Sequence, residues 1–156
     1  GGETSGFVGP AALDTLAVGE TVRPTIVNTE ITADTDVLGL VDDGDTLVID
    51  FSEAMAAALE TSASDFIRLS DGDSTYQIAS GAAGANFALS DGPGSTGLSD
   101  RLTVTVPALT LISGTANGLD YAGGTVTITL LSGGFDDVAG NQVDLAASSD
   151  VVVDDE

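Results

Sequence analysis

Apolar residues in this chain recur at every second position, in short runs rich in Val, Ile, Thr and Leu that Gly, Asp, Ser and Asn interrupt. A period of two sends alternate side chains to opposite faces of an extended backbone, so each run reads as a half-buried β-strand. Strands are expected at residues 25–32, 46–51, 65–69, 75–78, 85–89, 102–106, 125–131 and 151–153. Short strands at this spacing, with turn signals between them, define an all-β sandwich or barrel.

One segment reads differently. Residues 53–59 are good helix formers behind Ser52, a competent N-cap, and predict a helical crossover of one or two turns. The Gly/Ser/Asp stretches 70–75, 80–85 and 90–100 read as loops on one rim or as hairpin tips. Residues 1–6 have a flexible composition, 7–18 are mildly apolar around Pro10, and Pro24 opens the first clear strand. The expected layout is an N-terminal arm or extra strand at 1–23 and one sandwich domain at 24–156, a length that suits a single core.

Hydrophobic residues make up 42% of the chain, enough to fold it, yet 25 Asp+Glu face only 3 Lys+Arg, for a net charge of −22. Nucleic acid and anionic membranes are poor partners for such a surface. The cations are Arg23, Arg68 and Arg101, so most carboxylates have no salt-bridge partner within the chain. Screening must come from high salt, which shortens the Debye length to about 3 Å at molar concentration, or from bound divalent cations. Without Cys or His there is no disulfide, thiolate or imidazole ligand. No run approaches the roughly 18 apolar residues of a membrane span, and no basic-then-apolar leader opens the sequence, so an exported form is expected to have shed its signal.

Three stretches carry a family likeness: Pro24-Thr25-Ile26-Val27, the phrase from Asp43 through Asp50-Phe51-Ser52-Glu53-Ala54-Met55, and Phe135-Asp136-Asp137-Val138-Ala139-Gly140-Asn141. From Pro24 onward the layout resembles the bacterial immunoglobulin-like (Ig-like) domains of surface-layer proteins and large adhesins. The resemblance implies a Greek-key β-sandwich outside the cell, serving as a spacer, assembly or adhesion unit, often with calcium. The long loops between Asp71 and Asp100 and the N-terminal arm depart from that pattern.

Carboxylates cluster at Asp34/Asp36, Asp42-Asp43-Gly44-Asp45, Asp71/Asp73, Asp136-Asp137 and Asp154-Asp155-Glu156. Two carboxylates about 4 Å apart repel by roughly 1 kcal/mol in water and about 4 kcal/mol at an effective dielectric of 20. Ca²⁺, with six to eight oxygen ligands, relieves that repulsion. The expected ligands are Asp136, Asp137 and Asn141, with help from Asp42, Asp43 or Asp45; the alternative is a solvated acidic coat with Gly140-Asn141 as a turn. The terminal triplet reads as a solvated tail or as a linker sharing an ion with a neighbour. EF-hand templates fail, because Tyr76 stands where a loop from Asp71 needs Gly, and a loop from Asp42 puts Gly44 at a ligand position. The G-x-G-x-x-G match at 92–97 precedes a strand, not a helix, and is a loop.

Catalysis has little to work with. Lacking His, Cys and Lys, the chain has no triad, thiolate or Schiff base, and a glycosidase-type carboxylate pair needs apolar walls these loops lack. No Trp is present to stack on a sugar, so glycan recognition would have to run through calcium. The expectation is a non-enzymatic subunit of a cell-surface filament or layer, partnered by copies of itself or by neighbouring Ig-like domains. Phe7, Val8, Leu13, Leu16 and Val18 of the arm would fill a neighbour's groove as a donated strand. The alternative is a single repeat of a large calcium-dependent adhesin.

Overall fold

The computed structural model describes residues 22–35, 37–56, 67–78, 86–93, 99–120, 125–131 and 135–144, and residues 148–153 as backbone only. The arm residues Phe7, Val8, Leu13, Leu16 and Val18, the loop 80–85 and the terminal Asp154-Asp155-Glu156 lie outside the described residues. The strands are β1 (Ile26–Ala33), β2 (Leu40–Val41), β3 (Thr46–Phe51), β4 (Ile67–Ser70), β5 (Ser74–Ile78), β6 (Phe87–Ser90), β7 (Arg101–Thr105), β8 (Leu109–Gly114), β9 (Leu119–Asp120), β10 (Val126–Leu130) and β11 (Ser148–Val153).

Nine strands form one sheet in the order β6-β7-β3-β1-β11-β10-β4-β5-β8, and β2 pairs with β9. The pairings are antiparallel except for β1 with β11, which run parallel through Glu30↔Val152 and Ile31↔Val153.

Alternation decides which face is buried. In β4, Ile67 and Leu69 are buried and Arg68 and Ser70 are not; Val126, Ile128 and Leu130 of β10 repeat the pattern. Ile31, Leu47, Ile49, Phe87, Leu102 and Val104 from one half of the sheet join Leu69, Tyr76, Ile78 and Ile128 from the other in a single core cluster. One core fed from both halves requires the long sheet to curl over on itself, with β1 and β11 at the fold. Met55, Phe135 and Val143 close this core from the loops, where Phe51 and Phe135 sit with ring centroids 6.3 Å apart.

The expected crossover helix is not seen where its first residues are described. Residues 53–56 pair instead with the late loop: Met55 bridges Asp137, Ala56 N–H donates to the Asp136 carbonyl and Val138 N–H to the Ala54 carbonyl. Burial of Met55 at 1% exposure outweighs the helix preference of the alanines. Residues 57–59 of that expectation lie outside the described residues. Three strands were not expected, β2, β8 and β9: two are only two residues long, and β8 lacks a buried alternate face.

Candidate functional site

The pairing registers place the strand ends at two ends of the sheet, and residues 106–108 join Thr105 at one end to Leu109 at the other. Ala33↔Thr46, Thr46↔Thr105, Thr127↔Ser70 and Ser74↔Gly114 lie at one end, here the upper rim. Ile26↔Phe51, Asp50↔Arg101, Leu130↔Ile67 and Ile78↔Leu109 lie at the lower rim. The loops at 70–75 and 90–100 are therefore hairpin tips at opposite ends, not neighbours on one rim.

Both rims are acidic. Asp34, Asp42, Asp43, Asp45, Asp71, Asp73 and Asp120 belong to the upper rim; Glu53, Asp91, Asp100, Asp136, Asp137 and Asp144 belong to the lower. The expected calcium ligands are thus divided. Asp42, Asp43 and Asp45 precede β3, whereas Asp136, Asp137 and Asn141 sit beside Met55 beyond its far end. A six-residue strand spans about 20 Å and β3 stands between the two groups, so the structure does not bring Asp42, Asp43 or Asp45 together with Asp136, Asp137 and Asn141.

At the lower rim Asp137, 1% exposed, organises residues 135–143. Its Oδ1 accepts Ala139 N–H at 2.8 Å and Asn141 N–H at 2.7 Å, and its Oδ2 accepts the Asn141 amide at 2.8 Å. Burial pushes the Asp137 carboxyl up, and the bonds from the Asn141 side chain and from the Asn141, Ala139 and Gly140 backbone outweigh it, leaving the pKa below the ordinary value. Gly140 takes φ 88° at the tip, and Asp136 is exposed.

At the upper rim Asp45, fully buried, does the same work. Its Oδ1 accepts Thr35 N–H at 2.9 Å and its Oδ2 accepts Asp42 N–H at 2.9 Å. Gly44 between them has φ 103°, and a Cβ there would meet Thr35 Oγ1 at 3.0 Å. Asp43 is exposed and Asp42 half-buried.

Two further polar centres went unread in the sequence. Asp71 Oδ1 accepts the N–H groups of Asp73 at 3.0 Å and Ser74 at 2.7 Å, and its Oδ2 accepts Asp120 N–H at 3.3 Å, tying the β4–β5 turn to β9. Burial raises its pKa, and the bonds from Ser74, Asp120 and Asp73 more than offset that, so it too is lowered. Asp50, 5% exposed within the apolar run of β3, takes Arg101 bidentately, Nε to Oδ1 at 2.7 Å and Nη2 to Oδ2 at 2.9 Å. An acid inside an apolar strand was the signal for it, since a buried charge demands a partner.

The oxygens of Asp45, Asp71 and Asp137 thus serve the chain's own N–H donors. Among the described residues no group of three or more acidic side chains converges as a metal site. No described helix is long and apolar enough to cross a membrane.

No protein-family model matches the chain, and no curated protein matches it. Among solved structures it is similar to a crystal structure of the S-layer protein rSbsC(31-844), with a TM-score of 0.46 and 16% identity over 84% of this chain. The chain spans 14% of that protein's chain, and a likeness of this degree carries no functional conclusion.

Proposed function

We propose that this chain is a non-enzymatic structural subunit of a prokaryotic cell-surface assembly, an Ig-like Greek-key sandwich whose copies join end to end. The observation that carries the reading is the parallel pairing of β1 with β11. It makes the backbone enter the sheet at the lower rim, through Pro24 and Ile26, and leave at the upper rim, after Val153. Copies or repeats following one another along that axis set the upper rim of one against the lower rim of the next. Both rims are acidic, so close approach at low salt requires cations between them.

Calcium would act between copies, at exposed carboxylates such as Asp43 and Asp136, while the buried ones shape the loops. The buried acids support a structural role, because Asp45, Asp50 and Asp137 are each engaged by N–H groups or by Arg101. The same opposite-end geometry suits a repeat within a larger adhesin, whose linkers need to enter and leave at opposite ends. The segment holding Phe7, Val8, Leu13, Leu16 and Val18, just before the lower rim, is the connector of the subunit reading.

Light scattering at low salt, with calcium and then with chelator, tests the proposal. Calcium should raise particle size, and chelator should reverse it. A chain that stays monomeric in calcium and in molar NaCl alike refutes end-to-end assembly.

A further inference from the structure

Among the described residues the sheet ends at β8, which pairs on one side with β5. An edge strand offers a row of main-chain N–H and C=O groups to any extended partner, and proteins usually blunt such edges with Lys, Pro or inward-pointing charge. Here Leu109–Gly114 contains no charged residue and no proline. Its Leu111 and Ile112 are 37% and 45% exposed, and Thr110, Ser113 and Gly114 are exposed beside them.

Charge is absent along this side of the molecule. Residues 102–119 carry no ionisable side chain in a chain of net charge −22. The next strand inward, Ser74–Ile78, is also uncharged, so the edge is neutral two strands deep. Strands lie about 4.8 Å apart, which makes that neutral depth about 10 Å, comparable to the Debye length of about 8 Å at physiological ionic strength.

A basic partner would be drawn to the acidic rims and not to β8. A second copy of this chain meets fewer like charges along β8 than at the rims, with Asp73 beside the Gly114 end. Antiparallel pairing of two identical edges about a two-fold axis is self-complementary and closed. We infer that β8 pairs antiparallel with β8 of a second copy, joining molecules laterally by a contact independent of the ion-bridged rims. A bulge opposite Thr75/Tyr76, where Thr75 pairs with Ser113 and Tyr76 with Leu111, sets Ile112 outside the regular ladder. The regular part of the edge is therefore short and the contact weak, so association depends on concentration and strengthens as NaCl screens the net charge.

The opposite edge, β6, is a poorer candidate. It has four residues, exposes no large apolar side chain, pairs Ser90 with Arg101 and runs directly into Asp91.

The chain has no cysteine, so single-cysteine variants report proximity cleanly. Full-length Ile112→Cys and Ala88→Cys chains, the latter on β6, are oxidised mildly in chelator and 1 M NaCl. The inference expects disulfide dimers from Ile112→Cys and few from Ala88→Cys. In parallel, sedimentation velocity in the same buffer should show a dimer for the unmodified chain that Ile112→Glu abolishes, with melting unchanged. Equal cross-linking at both positions, a dimer that survives Ile112→Glu, or no dimer at any concentration overturns it. So does cross-linking of Ile112→Cys to an admixed Phe7→Cys chain in preference to itself, which would make the N-terminal segment the occupant.

Discussion

The acidic rims and the β8 edge solve opposite problems. At the rims, carboxylates crowd together and the fold engages three of them with its own backbone N–H groups: Thr35 and Asp42 for the buried Asp45, Ala139 and Asn141 for the buried Asp137, Ser74 and Asp120 for the half-buried Asp71. Along β8 there is no charge to manage, and the strand is blunted by the bulge at Ile112 alone. Charge on this protein is therefore uneven: most described acids lie where strands begin and end, Glu30, Asp50 and Asp150 lie within strands, and β8 carries none. The proposed assembly predicts a response to divalent ions through the ends and to ionic strength through the side.

The sharpest break in that comparison falls where the two regions meet. Gly114 ends β8 with φ 94°, and a Cβ there would lie 2.1 Å from the Asp73 carbonyl oxygen. Gly114→Ala should destabilise the fold by about 3 kcal/mol or more, because the backbone itself must move. Thermal melting measures it, and a loss below 1 kcal/mol would show that the β8 end and the upper rim are not rigidly joined.

Next in size is the buried rim carboxylate. Asp45→Ala strands the Thr35 and Asp42 N–H groups and should lose about 2–3 kcal/mol, a fall in Tm of about 5–10 °C. An unchanged Tm would reduce the rim acids to a solvated coat. Acid sharpens the same point. Asp71 and Asp137 have lowered pKa values in the folded state, so their stabilisation is complete above the unfolded carboxyl value near about 3.9 and is lost as pH falls through their folded values. Melting below about pH 4 should therefore drop less steeply in the Asp71→Asn/Asp137→Asn double variant than in the unmodified chain. Parallel curves would mean that these bonds contribute nothing to pH dependence. The smallest expected effect is at the edge, where Ile112→Glu should leave monomer stability within about 0.5 kcal/mol, since Ile112 is 45% exposed and outside the core cluster. A large loss of Tm would place Ile112 in the fold's own packing.

Strands with one buried face were legible. Residues 46–51 were read to the residue as β3, and β1, β4, β5, β6, β7 and β10 to within one or two, because alternation is a local imprint of one-sided burial. β8 escaped because an edge strand exposed on both faces leaves no such imprint. The 53–56 segment was misread because its bridge to Asp137 depends on residues some eighty positions away.

By itself the sequence determined the β class, the acid surface, the missing nucleophiles and the loops in which carboxylates gather. All of these follow from residue type and from periods of two, which neighbours in the chain impose on one another. Only the tertiary structure decided which loops share a rim, that Asp45 and Asp137 lie at opposite ends, that Asp50 meets Arg101, and that an uncharged strand forms the edge. Those outcomes depend on strand order and register, which are set by how two half-sheets close over one core, a condition that no short window of sequence contains.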